Sequence, residues 1–197
     1  MKYSDLTKIK KLYFGYEEIA KALGISLSSA RVSANRYLKQ GFLLRLKRNL
    51  YILRQRWPAL NSEERFLLAN LAQVPSYISL MTAMDYYGLT TQIQRNFIES
   101  IALKRTKEIE FNGTIFNYSK IDEKLYFGFA KESACFIARP EKAFLDAVYL
   151  TSLKRYKFDL TSIDLAKLDI RRLKRMARVF PQKTKEALKK YGCFKKA

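Results

Sequence analysis

Ser28, Ser29, Arg31, Asn35, Arg36 and Lys39 lie together in the stretch SLSSARVSANRYLKQ. These residue types read nucleic acid. Serine and asparagine hydrogen-bond base edges, arginine does so with two donors at once, and arginine and lysine also neutralise phosphates. Lys47, Arg48 and Asn49 form a second polar group between two short apolar runs. Arg171, Arg172, Lys174, Arg175 and Arg178 form a third, near the C-terminal end. The plainer reading of each group is a solvated face. The chain has no histidine, so imidazole metal ligands and the commonest general base are absent.

The elements around the first two groups explain how they would be presented. A helix over Tyr16–Leu23 should stop at Gly24, where a left-handed residue often ends a helix. Ser26 offers an oxygen to the free N–H groups of a second helix, Leu27 to about Gln40. Leu27, Ala30, Ala34, Tyr37 and Leu38 recur at helical spacing and are expected to face inward. Gly41 ends this helix. Phe42–Leu46 and Leu50–Leu53 read as strands joined by Lys47-Arg48-Asn49. Upstream, residues 3–13 read as a helix with Leu6, Ile9 and Leu12 or Tyr13 on one face. The pattern predicts a helix-turn-helix with a basic β-wing. Its DNA contacts would come from Ser26, Ser28, Ser29, Arg31, Asn35, Arg36, Lys39, Lys47, Arg48 and Asn49.

Charge supports this division. The 197 residues carry a net +20, which favours polyanionic partners. Residues 1–57 hold 13 Lys+Arg against 3 Asp+Glu, residues 58–153 hold 10 against 11, and residues 154–197 hold 15 against 4. Two basic ends thus flank a neutral middle. Residues 1–57 are read as a DNA-binding domain and residues 58–197 as an α/β domain with a basic helical tail. Cys135 and Cys193 lack zinc-site spacing, and a disulfide between them is not expected. Met1–Tyr13 is charged throughout, unlike a signal peptide. No apolar run approaches the roughly 20 residues of a membrane span. The expected location is the cytoplasm.

In the middle, Asn61 and Glu64 have capping-box spacing for a helix to about Ala72. Ser79 should cap a helix through Tyr87, closed by Gly88. Phe97–Leu103 reads as a strand. Asn112-Gly113 between Lys107–Phe111 and Thr114–Tyr118 is a strong hairpin signal. Further strands are expected near Tyr126–Ala130 and Ala134–Ala138. Pro140 suits the first position of a helix, with Ala143, Phe144, Ala147 and Leu150 or Tyr149 inside. Asp169 should cap Ile170–Phe180, and Pro181 should open a helix over Gln182–Tyr191.

Three stretches in this order resemble the AbiEi family, the antitoxin and transcriptional-regulator component of type IV (abortive-infection) toxin–antitoxin systems. They are the N-terminal winged helix, the block from Tyr77 to Leu89 (YISLMTAMDYYGL), and the block from Ala138 to Asp146 (ARPEKAFLD). The resemblance covers roughly residues 5–155. Two positions depart from the family pattern. Arg139 stands where Ser or Thr usually caps the Pro-Glu-Lys-Ala helix, and Asn49 stands where the wing commonly has glycine. The resemblance implies that the N-terminal module binds repeats in its own promoter and represses the operon. It further implies that the C-terminal domain counters a nucleotidyltransferase toxin without forming a stable complex with it.

The expected fold is α+β: a winged helix-turn-helix, then an α/β domain with a small antiparallel sheet and basic C-terminal helices. The expected function is a DNA-binding repressor and antitoxin, with double-stranded DNA as partner and no membrane association. No catalytic residue, metal or cofactor is expected. Arg171, Arg172, Lys174, Arg175 and Arg178 form a candidate nucleic-acid or antitoxicity surface. Two other readings compete. One is a protein–protein adaptor on a winged-helix scaffold. The other is a metal-dependent nuclease drawing on Asp85, Glu99, Asp122 and Asp146 with Lys104 and Lys142.

Overall fold

A computed structural model describes residues 3–92 and 94–192. Cys193, and the expectation about its pairing, lies outside the described residues. The chain is a mixed α/β protein that divides into two compact units, residues 1–68 and 69–197. Among the described residues no helix is long and apolar enough to cross a membrane.

The first unit opens with a 3-10 helix, Tyr3–Lys8, rather than the predicted helix over 3–13. Leu6 and Ile9 are buried as expected, but Tyr13 is exposed. The reason is Phe14. It exchanges two backbone hydrogen bonds with Tyr51, at 3.0 and 2.8 Å, and so must be extended. Helices α1 (Tyr16–Leu23) and α2 (Leu27–Lys39) follow. Gly24 adopts the left-handed conformation between them. The hairpin is β1 (Leu43–Lys47) and β2 (Leu50–Leu53). All of β2 is buried, because β1 lies on one side of it and Phe14 on the other.

Ile19, Ala30, Ala34, Tyr37, Leu43, Tyr51 and Leu53 share one core. The inner stripe of α2 differs from expectation at three positions. It runs through Ala30, Ser33, Ala34 and Tyr37, an i, i+3, i+4, i+7 pattern. Leu27, at the first helical position, lies beyond the end of this stripe and is 53% exposed. Leu38 is only half-buried, and the unexpected Ser33 takes an inner place.

After a 3-10 helix, Arg54–Ala59, helix α3 (Ser62–Ala72) contains the boundary between the units. Its capping box forms as expected. Asn61 Oδ1 accepts the Glu64 N–H at 2.8 Å, and Glu64 Oε2 accepts the Asn61 N–H at 3.0 Å.

The second unit holds β3 (Ser76–Ile78), α4 (Leu80–Tyr86), β4 (Phe97–Ala102), β5 (Lys107–Phe111), β6 (Thr114–Lys120), β7 (Phe129–Glu132) and β8 (Cys135–Ala138). The strands form one six-stranded sheet, in the order β5-β6-β4-β3-β8-β7. The expected small antiparallel sheet is therefore larger and mixed, since β4 runs parallel to β6 and β3 parallel to β8. Both Asn112 and Gly113 take positive φ, and the β5–β6 hairpin forms where their pairing placed it. Strand β7 starts later than expected, because a 3-10 helix at Glu123–Leu125, capped by Asp122, precedes it.

Helix α5 (Pro140–Ser152) is the core helix of this unit. Every residue from Glu141 to Leu150 is buried, so the predicted one-sided inner face extends all round. Helix α6 (Ile170–Ala177) is capped by Asp169 as expected. It stops short of Phe180, because the Arg178, Val179 and Phe180 N–H groups bond three residues back. Helix α7 is Gln182–Lys190.

Candidate nucleic-acid interface

Helix α2 contains no acidic residue and three basic ones. Its N-terminus is fixed by Ser26, whose Oγ accepts the Ser29 N–H at 3.2 Å and lies 2.9 Å from the Ser28 and Ser29 hydroxyls. Ser26 is thus a cap, and its oxygen is already engaged. An α-helix turns about 100° per residue, and the core stripe fixes which way α2 faces. Directly opposite that stripe lie Ser28, Val32, Asn35 and Lys39, at i, i+4, i+7 and i+11. All four are exposed.

Arg31 and Arg36 flank this central row on opposite sides. Each lies against an aromatic ring. The Arg31 guanidinium carbon is 5.5 Å from the Tyr16 ring centroid, and that of Arg36 is 5.2 Å from the Tyr37 ring centroid. Such contacts favour a defined placement of the charge. The central row thus offers Ser28 and Asn35 as hydrogen-bonding groups, Val32 as an apolar one and Lys39 as a cation, with the Arg31 and Arg36 guanidiniums at its edges.

The hairpin adds a second cationic edge. Burial in β1 alternates, leaving Arg45 and Lys47 exposed, and Arg48 is exposed in the turn. Asn49, in the turn between β1 and β2, has φ 56°, in the left-handed region that asparagine tolerates. Its side chain faces α1, not solvent alone. Asn49 Oδ1 accepts the Tyr16 N–H at 2.7 Å. Asn49 therefore locks the hairpin turn to the start of α1.

Two exposed residues escaped the sequence reading. Val32 is 70% exposed at the centre of the α2 face, and Arg45 is exposed on β1. The signals were present: Val32 falls on the polar side of the helical pattern, and Arg45 alternates with buried leucines. Two other arginines serve the fold. Arg54 Nε donates to the Gly41 carbonyl at 2.7 Å. The Arg56 guanidinium binds the carbonyls of Thr7, Ile9 and Lys11, which holds the N-terminal segment in place.

The C-terminal basic group divides in two. Arg172 is half-buried and lies 3.9 Å from the Glu141 carboxylate, whose other oxygen accepts the Asp169 N–H at 3.2 Å. Arg171 and Arg175 are exposed on α6. Lys174 and Arg178 instead join Lys185 and Lys189 of α7 around one groove.

The carboxylates of the nuclease alternative are not brought together. Asp146, Lys142, Tyr77 and Ser79 form one fully buried network. Lys142 Nζ pairs with Asp146 and donates to Tyr77 Oη at 2.9 Å. Asp146 Oδ2 accepts from Tyr77 Oη at 3.0 Å and Ser79 Oγ at 2.8 Å. Ser79 hence does not cap α4 with its side chain. The ammonium lies 5.3–5.4 Å from the ring centroids of Tyr77, Phe127 and Phe180, and Gly128 packs on the Lys142 stem where a Cβ would come within 3.1 Å of it.

Glu99 stands apart and takes over the cap of α4. Its Oε2 accepts the Met81 N–H at 2.9 Å and the Tyr156 hydroxyl at 3.1 Å. Burial pushes its carboxyl up to about 7, against the pull of these hydrogen bonds. Asp122 caps a turn through the Lys124 N–H, while Asp85 and Lys104 join no such network. Among the described residues no three His, Cys, Asp or Glu side chains gather to hold a metal ion.

No protein-family model matches the chain, and no curated protein matches it. Among solved structures, the chain is similar to the RV2827C protein from Mycobacterium tuberculosis. The TM-score is 0.60 at 14% identity, over 96% of this chain and 75% of that one. At that identity the likeness concerns the fold alone.

Proposed function

We propose that residues 1–68 form a winged helix-turn-helix that binds double-stranded DNA. Helix α2 would enter the major groove, and the β1–β2 hairpin would act as the wing. The observation that carries this reading is the exposed face of α2: Ser28, Val32, Asn35 and Lys39 in a central row, Arg31 and Arg36 at its edges, and no acid on the helix. In this arrangement Asn35 suits adenine, the arginines suit guanine or phosphate, and Val32 suits a thymine methyl group. Lys47 and Arg48 would meet backbone phosphates at the wing. Ser26 and Asn49 contribute by holding α2 and the wing in place.

With the AbiEi resemblance, the reading extends to a repressor of its own operon that is also the antitoxin of a type IV pair. The second unit, with its core helix α5 and the basic C-terminal helices α6 and α7, would counter a nucleotidyltransferase toxin without a stable complex. Replacing Arg31 or Arg36 by alanine tests the DNA-binding part. Each change is expected to weaken binding to the promoter fragment by about tenfold, the size of one lost charge-assisted contact of roughly 1–3 kcal/mol. Unchanged affinity in both variants at moderate salt would remove α2 from the interface. Co-expression with the neighbouring toxin tests the antitoxin part.

The exposed Val32 and Leu27 also suit a protein partner, the adaptor reading. Salt separates the two. About six phosphate contacts would cost on the order of a thousandfold in affinity between roughly 50 and 200 mM salt, whereas an apolar interface would barely respond.

A further inference from the structure

The six-stranded sheet ends in β5 on one side and β7 on the other. An edge strand leaves half of its backbone N–H and C=O groups without a ladder partner. Ladder alternation tells which groups these are, because residues that exchange hydrogen bonds across an antiparallel pair alternate with residues whose groups point away. The Arg139 N–H bonds the Gly128 carbonyl at 3.0 Å, one step before the register in which Phe129 faces Ala138 and Ala130 faces Ile137. Ala130 and Glu132 therefore bond β8, while Phe129 and Lys131 direct their N–H and C=O groups off the sheet. Phe136 agrees with this phase, since its N–H turns away from β7 to Asn70 Oδ1 at 2.6 Å. Among the described residues no strand lies beyond β7.

On β5 the count starts from the Asn112-Gly113 turn, which Phe111 and Thr114 close. Phe111, Ile109 and Lys107 bond β6, so Glu108 and Glu110 direct their backbone groups outward. The Ile115 N–H, which turns away from β5 to the Asn96 carbonyl at 2.9 Å, fits this phase.

The two edges differ in what a second copy of the chain would meet. Identical strands related by a twofold axis pair antiparallel, and facing residues lie on the same side of the sheet. On β5 every register that joins the outward groups sets Glu108 or Glu110 against a carboxylate of the other copy, and like charges face to face weaken a strand pair. On β7 one register avoids this. With Ala130 facing its own counterpart, Phe129 of each copy faces Lys131 of the other. Each such pair exchanges two backbone hydrogen bonds, and no outward group of either residue is left over.

The side chains suit that register. Phe129 is fixed by stacking on Tyr77, with centroids 4.5 Å apart, and meets Phe136 edge-on at 6.1 Å. Phe136 faces Lys131 across the β7–β8 pair and is 43% exposed. Across the joined edge, Phe136, Lys131 and the second copy's Phe129 fall in one row, which sets the ammonium between two rings. At the axis only alanine meets alanine.

We propose that β7 is a self-association edge, through which two copies of this chain join antiparallel about Ala130 into one continuous sheet. The contact is small, below the roughly 1,200 Å² of a standard interface. The expected dissociation constant is therefore weak, on the order of 10–100 μM. A chain of net charge +20 repels its own copy, so screening by salt should tighten the dimer. The proposal does not depend on the DNA-reading role of α2.

The test uses the full chain without DNA. Sedimentation velocity follows it up to about 300 μM, at about 50 and 200 mM salt. Dimer is expected to grow with concentration and to be more abundant at the higher salt. Lys131→Pro removes an outward N–H, a change an edge strand tolerates, and should leave the chain monomeric. Glu110→Pro does the same on β5 and should leave the dimer unchanged. Circular dichroism checks that both fold. A second measurement reads the register in a Cys193→Ser background. Ala130→Cys places two thiols across a pair with Cα atoms about 4.5 Å apart, within disulfide reach, and should give a covalent dimer with oxidised glutathione. Lys131→Cys places them about 8–9 Å apart, beyond the roughly 7 Å limit, although Lys131 is the more exposed position. A chain that stays monomeric throughout the range would overturn the proposal. So would a dimer that a folded Lys131→Pro variant retains, or crosslinking through Lys131→Cys as efficient as through Ala130→Cys.

Discussion

At the hairpin turn the Asn49 side-chain oxygen accepts the Tyr16 N–H at 2.7 Å, across 33 positions of sequence. One residue thereby does two jobs. It takes the left-handed conformation of the turn, and it satisfies a free N–H at the start of α1. Asn49→Ala removes both and should destabilise the first unit by about 2–3 kcal/mol. Asn49→Gly keeps the conformation and loses the hydrogen bond, at a cost of about 1 kcal/mol. Urea denaturation of the two variants checks the order. Equal losses would mean that the hydrogen bond, rather than the turn conformation, accounts for the whole effect.

The buried Lys142–Asp146 pair should behave as a unit. Removing one partner leaves a charge with no solvent and no counter-ion, a cost of about 3–5 kcal/mol. Lys142→Met and Asp146→Leu are each expected to fall in that range. The double variant should cost less than either, although Tyr77 and Ser79 then lose an acceptor. A double variant as unstable as the sum of the singles would contradict the coupling.

Glu99 sets an expected pH dependence. Its carboxyl is raised from an ordinary 4.5 to about 7 by burial, so the folded state holds a proton that the unfolded state releases. The stabilisation is fully present below about pH 4.5 and is lost as pH rises through 7. Its size is on the order of 3 kcal/mol. Glu99→Gln keeps an acceptor for the Met81 N–H and cannot ionise. Unfolding free energies between pH 5 and 8 should therefore slope downward more in the native protein than in this variant. Parallel curves would show that the Glu99 carboxyl does not titrate in this window.

Local chemistry made much of this legible in sequence. Gly24, Ser26, the Asn61–Glu64 box, Asn112-Gly113, Pro140 and Asp169 each act within a few residues of themselves, and each sits where its own conformational preference put it. What failed was non-local. The parallel pairings of β4 with β6 and β3 with β8 join segments whose sequences do not specify a neighbour. The cap of α4 comes from Glu99, a later strand, while Ser79, in the expected capping position, turns to Asp146. Phe14 is extended because Tyr51 pairs with it, which no pattern in residues 3–13 could signal. At the candidate interface the polar face of α2 was readable from its period. Val32 was passed over because it is apolar, and the split of the C-terminal basic residues required knowing that α6 and α7 share a groove.

Val32 offers a test at the level of single atoms. Its exposed methyl groups sit beside Asn35 in the central row of α2, where contact with a thymine methyl is expected on the DNA-binding reading. Replacing promoter thymines by deoxyuridine removes only that methyl. The native protein should lose affinity, by a few-fold, at one or two thymine positions. Val32→Ala should be insensitive to the same replacements. If the native protein tolerates deoxyuridine throughout, Val32 makes no such contact.

The most direct test of the DNA-binding account is a mobility-shift titration of the native protein against its own upstream DNA and a scrambled duplex, at about 50 and 200 mM salt. The account calls for tighter binding to the upstream fragment at both concentrations, with affinity for each duplex falling steeply as salt rises. Equal affinity for the two duplexes would contradict it, leaving the α2 face a basic surface that does not read sequence.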